Sequence, residues 1–220
     1  RAAIYKHLDK HLPCAFYFGD YLSDSIRQMP VGELRGFKEI LLIKPIPRTG
    51  FEWQKEVWKL AFKPYRYYLL TGTPGSLSNW MLVLLARMLG KKVLAWTHGM
   101  KGANTTFGTF VERNFYRLCH RILLYGEYSR DIMLKEGFAP ECLVPIYNSL
   151  EYETQLEVRK RLKPSGIYSE KFGNEHPVLI YIGRIQRSKR LDLLVEALRE
   201  LRDSGATYNL VLIAAATDTY

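Results

Sequence analysis

Cysteine is scarce in this chain of 220 residues: Cys14, Cys119 and Cys142 are the three present. They are odd in number, far apart, and lack the paired spacing of a zinc site or a redox dithiol, so a reducing compartment is the simplest reading. Acidic charge is also short. Against 32 Lys and Arg stand 22 Asp and Glu, which leaves a net charge of +10 and a pI near 9.5. That excess points to an anionic partner: nucleic acid, an acidic membrane surface or a phosphorylated ligand. Long hydrophobic runs are missing. The longest, WMLVLLA from Trp80, stops at Arg87, well short of the roughly 18 residues that a membrane span needs. Nothing at the start resembles a signal peptide. The chain shows no repeat at solenoid spacing, no low-complexity segment, and no carboxylate or histidine cluster with the spacing of metal ligands.

What is there is an ordinary globular mixture, 47% apolar and 25% charged, enough to bury one sizeable core or two smaller ones. Short β-rich runs (CAFYFGD, EILLIKPIP, YRYYLLTGTP, KKVLAWTHG, RILLYGE and CLVPIYNSL) alternate with helical patterns, and several runs are apolar on both faces, as in buried parallel strands. The spacing predicts helices from Ala2 to Lys10, Phe51 to Lys63, Ser78 to Leu89, Thr106 to Cys119 and Ser129 to Glu136. Strand and helix in alternation imply an α/β fold built on a doubly wound sheet. After Asn148 a charged helical stretch, EYETQLEVRKRLKPSG, reads as a linker. The alternation then restarts. HPVLIYIG is a new buried strand, a helix follows with Leu191, Leu194, Val195, Leu198 and Leu201 on one stripe and Gly205 as its C-terminal cap, and YNLVLIA begins a further strand.

Between that strand and that helix lies IGRIQRSKRL, with Arg184, Arg187, Lys189 and Arg190 at the junction. A helix N-terminus offers unpaired N–H groups and partial positive charge, so a glycine followed by Arg and Lys makes a phosphate site. Gly183 supplies close approach. The pattern is neither the three-glycine dinucleotide fingerprint nor the phosphate loop ending in Gly-Lys-Ser/Thr. A solvated basic turn is the competing reading.

The stretch YIGRIQRSKRLDLLVEAL resembles the junction that opens the donor domain of retaining glycosyltransferases of family 4, with Gly183, Arg184, Lys189, Asp192 and Ala197 on the family pattern. LLYGEYSRDIMLKEGFAPECLVPIYNSLEYE is similar to the last strand and helix of that family's first domain, running into its hinge. The resemblance implies the GT-B type: two Rossmann-like doubly wound domains, here with the second one truncated. Residues 1–149 would be the acceptor-side domain, its first strand missing, 150–176 an interdomain segment, and 177–220 the start of the nucleotide-sugar-binding domain. Gly183, Arg184 and Lys189 would bind a nucleotide diphosphate and stabilise it as a leaving group, with neither metal nor other cofactor. Two departures stand out. Arg190 occupies a position that is usually glycine, so the turn is either looser or gains a third phosphate contact. AAATDTY replaces a glycine-rich loop, and the paired glutamates that hold the donor would fall beyond Tyr220, so the chain alone is expected not to turn over.

His98 lies at the carboxyl end of a buried strand, where open α/β sheets place ligands. In the family a histidine at such a position faces the donor sugar, which makes His98 the candidate catalytic residue; a structural histidine capping the next helix is the alternative. Gly72, Gly99, Glu127 and Asn148 are candidate cleft lining. For Gly72, together with Gly75, Ser76 and Ser78, a plain strand-to-helix turn with Ser78 as N-cap is as good a reading. Asn148 and Ser149 otherwise shape a hinge, and Glu127 otherwise adds favourable charge at a helix start. FEWQKEVWKLAFK, drawn as a helix, buries Trp53, Val57, Leu60 and Ala61 and carries Trp58 and Phe62 beside Lys55 and Lys59. That face meets either an anionic membrane interface or a neighbouring helix. The expected activity is therefore transfer of a sugar, with retention, from a nucleotide-sugar donor to a saccharide or lipid-linked acceptor of a surface polysaccharide pathway. The expected location is cytoplasmic, peripheral on the inner face of the membrane. The rivals are a basic nucleic-acid-binding module, for which no recognised motif is present, and an inactive membrane-peripheral scaffold of the same fold.

Overall fold

The computed structural model describes residues 2–20, 30–100, 106–148 and 151–216. The chain divides into two compact units, Arg1–Tyr152 and Glu153–Tyr220.

The first unit is built on a four-stranded parallel sheet of β5 (Tyr67–Thr71), β6 (Lys92–Thr97), β7 (Arg121–Leu124) and β8 (Leu143–Pro145), in that spatial order. The helices α2 (Leu77–Met88), α3 (Thr106–Arg117) and α4 (Glu127–Lys135) connect successive strands. This alternation is what parallel pairing requires, since a parallel neighbour can be reached only by a crossover. The two central strands are the most buried, with Val93, Ala95, Trp96, Ile122 and Leu124 in the core. Leu82, Val83 and Ala86 of α2, Phe115 and Tyr116 of α3, and Met133 of α4 close onto them. At the sheet edge β5 alternates instead: Tyr68 is buried, while Tyr67 and Leu69 are exposed.

Ahead of the sheet come α1 (Ala2–His11), β1 (Phe16–Gly19), β2 (Phe37–Leu41), β3 (Ile43–Pro45) and β4 (Glu52–Gln54). β1 and β2 pair in parallel, and β3 and β4 form an antiparallel hairpin. Buried Asp9 fastens α1 by accepting the backbone N–H groups of Arg35 and Gly36 at 2.7 and 2.9 Å. The run EILLIKPIP, read as one strand, is split between these two pairs.

The helix expected over Phe51 to Lys63 does not form. Its first part is β4, Glu56 turns the chain with φ +64, and Val57–Phe62 is a 3-10 segment. Hairpin pairing takes Glu52–Gln54, and two further bonds fix the turn: Gln54 N–H to Ser78 Oγ at 3.0 Å and Lys55 N–H to the Leu42 carbonyl at 2.8 Å. Val57 and Ala61 are buried as the helical wheel placed them, because a short 3-10 turn carries nearly the same spacing.

The second unit contains all but the first residue of α5 (Tyr152–Arg161), then α6 (Ile167–Phe172), β9 (Val178–Ile185), α7 (Leu191–Asp203) and β10 (Asn209–Ala216). β9 and β10 pair in parallel with α7 as their crossover, in register from Val178 opposite Asn209 to Ile185 opposite Ala216. A Schellman motif closes α7: Ala206 N–H bonds the Leu201 carbonyl at 2.9 Å and Gly205 N–H the Arg202 carbonyl at 3.0 Å. Gly205 has φ +92, a conformation open to glycine at little cost.

Candidate functional site

The carboxyl ends of β5, β6 and β7 carry Gly72, Thr97 to Gly99, and Tyr125 to Glu127. A buried hydroxyl network ties the first two of these together. Thr97 Oγ1 is 3.0 Å from the Gly72 carbonyl, 2.9 Å from the Tyr116 hydroxyl and 3.2 Å from the Gly99 N–H, which donates to it. Tyr116 also donates to the Gly72 carbonyl at 3.0 Å, and burial pushes its phenol pKa far up, so the proton stays on. The network fixes both neighbours of His98. Tyr116 joins it from α3, the crossover that leads from the end of β6 back to the start of β7.

The two glycines expected to line a cleft have packing reasons of their own. A Cβ on Gly72 would lie 2.8 Å from Thr97 Cβ, and one on Gly99 would lie 2.8 Å from Leu124 Cδ2. Gly99 also turns with φ +72, which carries the chain back over β7. The segment from Gly75 to Ser78 serves the hairpin: the Gly75 carbonyl accepts Glu52 N–H at 2.9 Å, and Ser78 Oγ accepts from Gln54. The helix starts at Leu77, so the N-cap position falls to Ser76, not to Ser78, and Ser76 makes no side-chain capping bond.

His98 itself is exposed. Its ring lies 4.4 Å from that of Tyr125, tilted by 50°, and its carbonyl accepts the Ser129 hydroxyl. With Met100, Tyr128 and Ser129 it lines an open hollow of about 290 Å³. Beside it, Glu127 opens α4 and accepts the Tyr147 hydroxyl at 3.0 Å, with Arg130 at 3.7 Å. That bond raises the Tyr147 pKa above the usual tyrosine value. Tyr147 holds a left-handed φ of +57, which is uncommon for an aromatic residue and aims the side chain back at α4. Asn148 is exposed just after it, and Ser149 lies outside the described residues. Thr97, Tyr116, Tyr125 and Tyr147 were not visible as site residues in the sequence; the one signal was that Thr97 and Tyr125 stand at strand ends.

At the β9 to α7 junction, Arg184, Arg187, Lys189 and Arg190 are all exposed. Gly183 leaves room for the ring of Tyr181, whose hydroxyl would lie 2.8 Å from a Cβ there and donates to the Arg184 carbonyl at 2.9 Å. Residues Arg187–Lys189 form a 3-10 turn, and Arg190 adopts φ +48 and ψ +49 before α7 begins. This is the left-handed conformation that a glycine would take without strain. The Arg190 guanidinium grips Asp192 through Nε at 3.0 Å to both oxygens and Nη2 at 2.8 Å to Oδ2. That pairing holds the Asp192 carboxyl below the usual carboxylate range. One of the four junction cations is thereby committed to a carboxylate of its own helix.

Among the described residues no group of three or more His, Cys, Asp or Glu comes together as a metal site would need, and no helix is long and apolar enough to cross a membrane. Trp58 is half-buried and meets exposed Phe62 edge to face at 6.4 Å, on the 3-10 segment and not on a helix. A four-stranded parallel sheet with crossover helices defines the α/β, Rossmann-like class. No protein-family model matches the chain, and no curated protein matches it.

Proposed function

We propose that the chain is part of a retaining glycosyltransferase of the GT-B type, which transfers a sugar from a nucleotide diphosphate to a saccharide or lipid-linked acceptor. The observation that carries this reading is the junction of β9 and α7: Arg184 at a strand end and Lys189 just ahead of a helix N-terminus, both exposed, in the sequence frame that resembles the family's donor motif. Fixed cations at that place would neutralise the diphosphate as the glycosidic bond breaks, which is electrostatic stabilisation of the leaving group. Because Arg190 is held by Asp192, the reading assigns it a structural part, and the phosphate contacts fall to Arg184 and Lys189. His98 keeps the candidate catalytic role that the resemblance gives it, supported by its exposed ring at the carboxyl end of the sheet. The acceptor-side and donor-side assignments of the two units, and a cytoplasmic position against the inner face of a membrane, belong to the same proposal.

Titration calorimetry with UDP and GDP tests it. The chain should bind one of them, and Arg184→Ala or Lys189→Ala should each weaken that binding by roughly tenfold to a hundredfold, the cost of losing a hydrogen bond to a charged group. Equal nucleotide affinity in wild type and both variants ends the reading.

A further inference from the structure

Helix α2 is amphipathic in an unusual sense. It turns Ser78, Asn79, Leu82, Val83 and Ala86 inward and presents Leu77, Met81, Leu84 and Met88 to solvent. The spacing of four, three and four residues makes these one stripe, and exposure rises along it, from 46% at Leu84 to 82% at Met88. Over its 12 residues the stripe runs about 18 Å. Leu89 extends it, also exposed.

The stripe ends at a basic edge. From Val57 to Val111 the sequence holds seven Lys or Arg and no Asp or Glu. The amino ends of neighbouring strands gather cations at this edge of the sheet. Lys92 opens β6 opposite Tyr67, and its N–H bonds the Arg66 carbonyl; Arg121 opens β7 opposite Leu94. Arg66 just ahead of β5, Lys92 at the start of β6 and Arg121 at the start of β7 thus lie at the same end of three adjacent strands, about 10 Å across two strand spacings, with Arg121 two residues further along the register than Lys92. Arg87, in the last turn of α2, donates to the Leu118 carbonyl at 2.9 Å and not to a carboxylate. His120 reports the field there: burial first, then Lys92, Arg87 and Arg121, hold its pKa below the ordinary histidine value, and no acidic group opposes them. Lys91 is set apart, because its ammonium is engaged by the Ala61 and Lys63 carbonyls and the Tyr68 hydroxyl.

We infer that the outward face of α2 and the adjoining edge of Arg66, Lys92 and Arg121 form a docking surface for an anionic phospholipid membrane. Aliphatic side chains flanked by cations that pair with no carboxylate among the described residues match a surface that offers acyl chains under phosphates. A protein partner would need only the stripe, and a nucleic acid only the cations. The inference deepens the membrane position proposed above by giving it a contact surface, and it needs no nucleotide binding, so failure of the nucleotide test leaves it standing. It replaces the face of Trp58 and Phe62 as the candidate contact.

Flotation with vesicles of phosphatidylcholine, alone or mixed with phosphatidylglycerol, tests it on the full chain. The chain should float with the anionic vesicles only, and less as salt rises. Lys92→Gln with Arg121→Gln should lower the partition coefficient by about thirtyfold, and Leu84→Ser with Met88→Ser by at least about tenfold. Trp58→Ala should leave it unchanged. Melting curves matching wild type keep loss of fold apart from loss of contact, and Leu84→Gln serves if the double serine variant melts early. Equal flotation with neutral vesicles, wild-type partitioning by either double variant, binding of RNA in place of vesicles, or a dimer that Met88→Ser dissociates would each overturn the inference.

Discussion

Replacing Thr97 with Val keeps the shape of the side chain and removes one hydroxyl, at the point where three elements meet ahead of His98. The consequences follow from the bonds that hydroxyl makes. It touches the Gly72 carbonyl and the Tyr116 hydroxyl, and it is the acceptor for the buried N–H of Gly99. Tyr116 keeps its own bond to the Gly72 carbonyl at 3.0 Å, so that oxygen stays satisfied. The Gly99 N–H does not. One lost hydrogen bond costs about 1 kcal/mol and one stranded buried donor about 1–3 kcal/mol, so Thr97→Val should destabilise the first unit by roughly 2–4 kcal/mol. Tyr116→Phe is the internal control: it removes a hydroxyl from the same network and strands no donor, because Thr97 still serves both Gly72 and Gly99. Its cost should be about 1 kcal/mol. In a domain of this size each kcal/mol lowers Tm by about 2–4 °C, which separates the two variants in a thermal melt. Amide exchange gives the site-specific readout, since the Gly99 N–H should lose protection in Thr97→Val and keep it in Tyr116→Phe. If the valine variant melts no lower than the phenylalanine one and Gly99 stays protected, the network does not hold the loop beside His98, and the argument fails.

Arg190→Gly places glycine where the backbone is left-handed, at φ +48; nucleotide affinity measured by calorimetry should stay within about twofold of wild type, since the guanidinium is turned to Asp192, and a loss as large as that of Arg184→Ala would make Arg190 a phosphate ligand after all. Stability should fall as pH drops below about 6.5, because His120 has a depressed pKa in the folded state and accepts the Val93 N–H at Nδ1. The unfolded chain then binds the extra proton, so this contribution is complete above the unfolded value and is lost on acidification; in pH-dependent melts His120→Asn should flatten the slope, and an unchanged slope would rule His120 out as its source. Hydrogen exchange should be slower in β5 to β7, around Leu70, Ala95 and Leu124, than in β9 and β10, because in the second unit Leu191 is the one buried apolar residue among those described, and equal protection would show a core there that the burial pattern lacks.

The elements that could be read from the sequence are those in which one physical signal dominates. KKVLAWT is apolar on both faces because β6 lies between two strands under crossover helices, and α7 announces itself by a clean stripe and a glycine stop. FEWQKEVWKLAFK misleads because its apolar spacing suits an α-helix and a 3-10 turn alike. The deciding bonds come from elsewhere: Ser78 and the Leu42 carbonyl fix the turn after β4, and neither lies within the segment. Local propensity loses there to tertiary hydrogen bonding. The outward face of α2 was hidden for a related reason, since WMLVLLA reads as core until the register of Ser78, Asn79 and Ala86 shows which side is inside.

Candidate chemistry-bearing side chains can be named from the sequence, and the groups that support them cannot. His98, Arg184 and Lys189 could be named because their types are rare at strand ends and helix starts without a reason. Gly183 shows where such naming falls short. From the sequence it is a gap through which a phosphate approaches the backbone, yet in the fold that gap holds the ring of Tyr181, two residues earlier on the same face of β9. Adding a methyl group at Gly183 would press on that ring, and the ring's hydroxyl is what bonds the Arg184 carbonyl. The glycine therefore acts on Arg184 through Tyr181, by leaving the phenol free to hold the backbone from which the guanidinium projects. Its part in the fold is to position the Arg184 backbone.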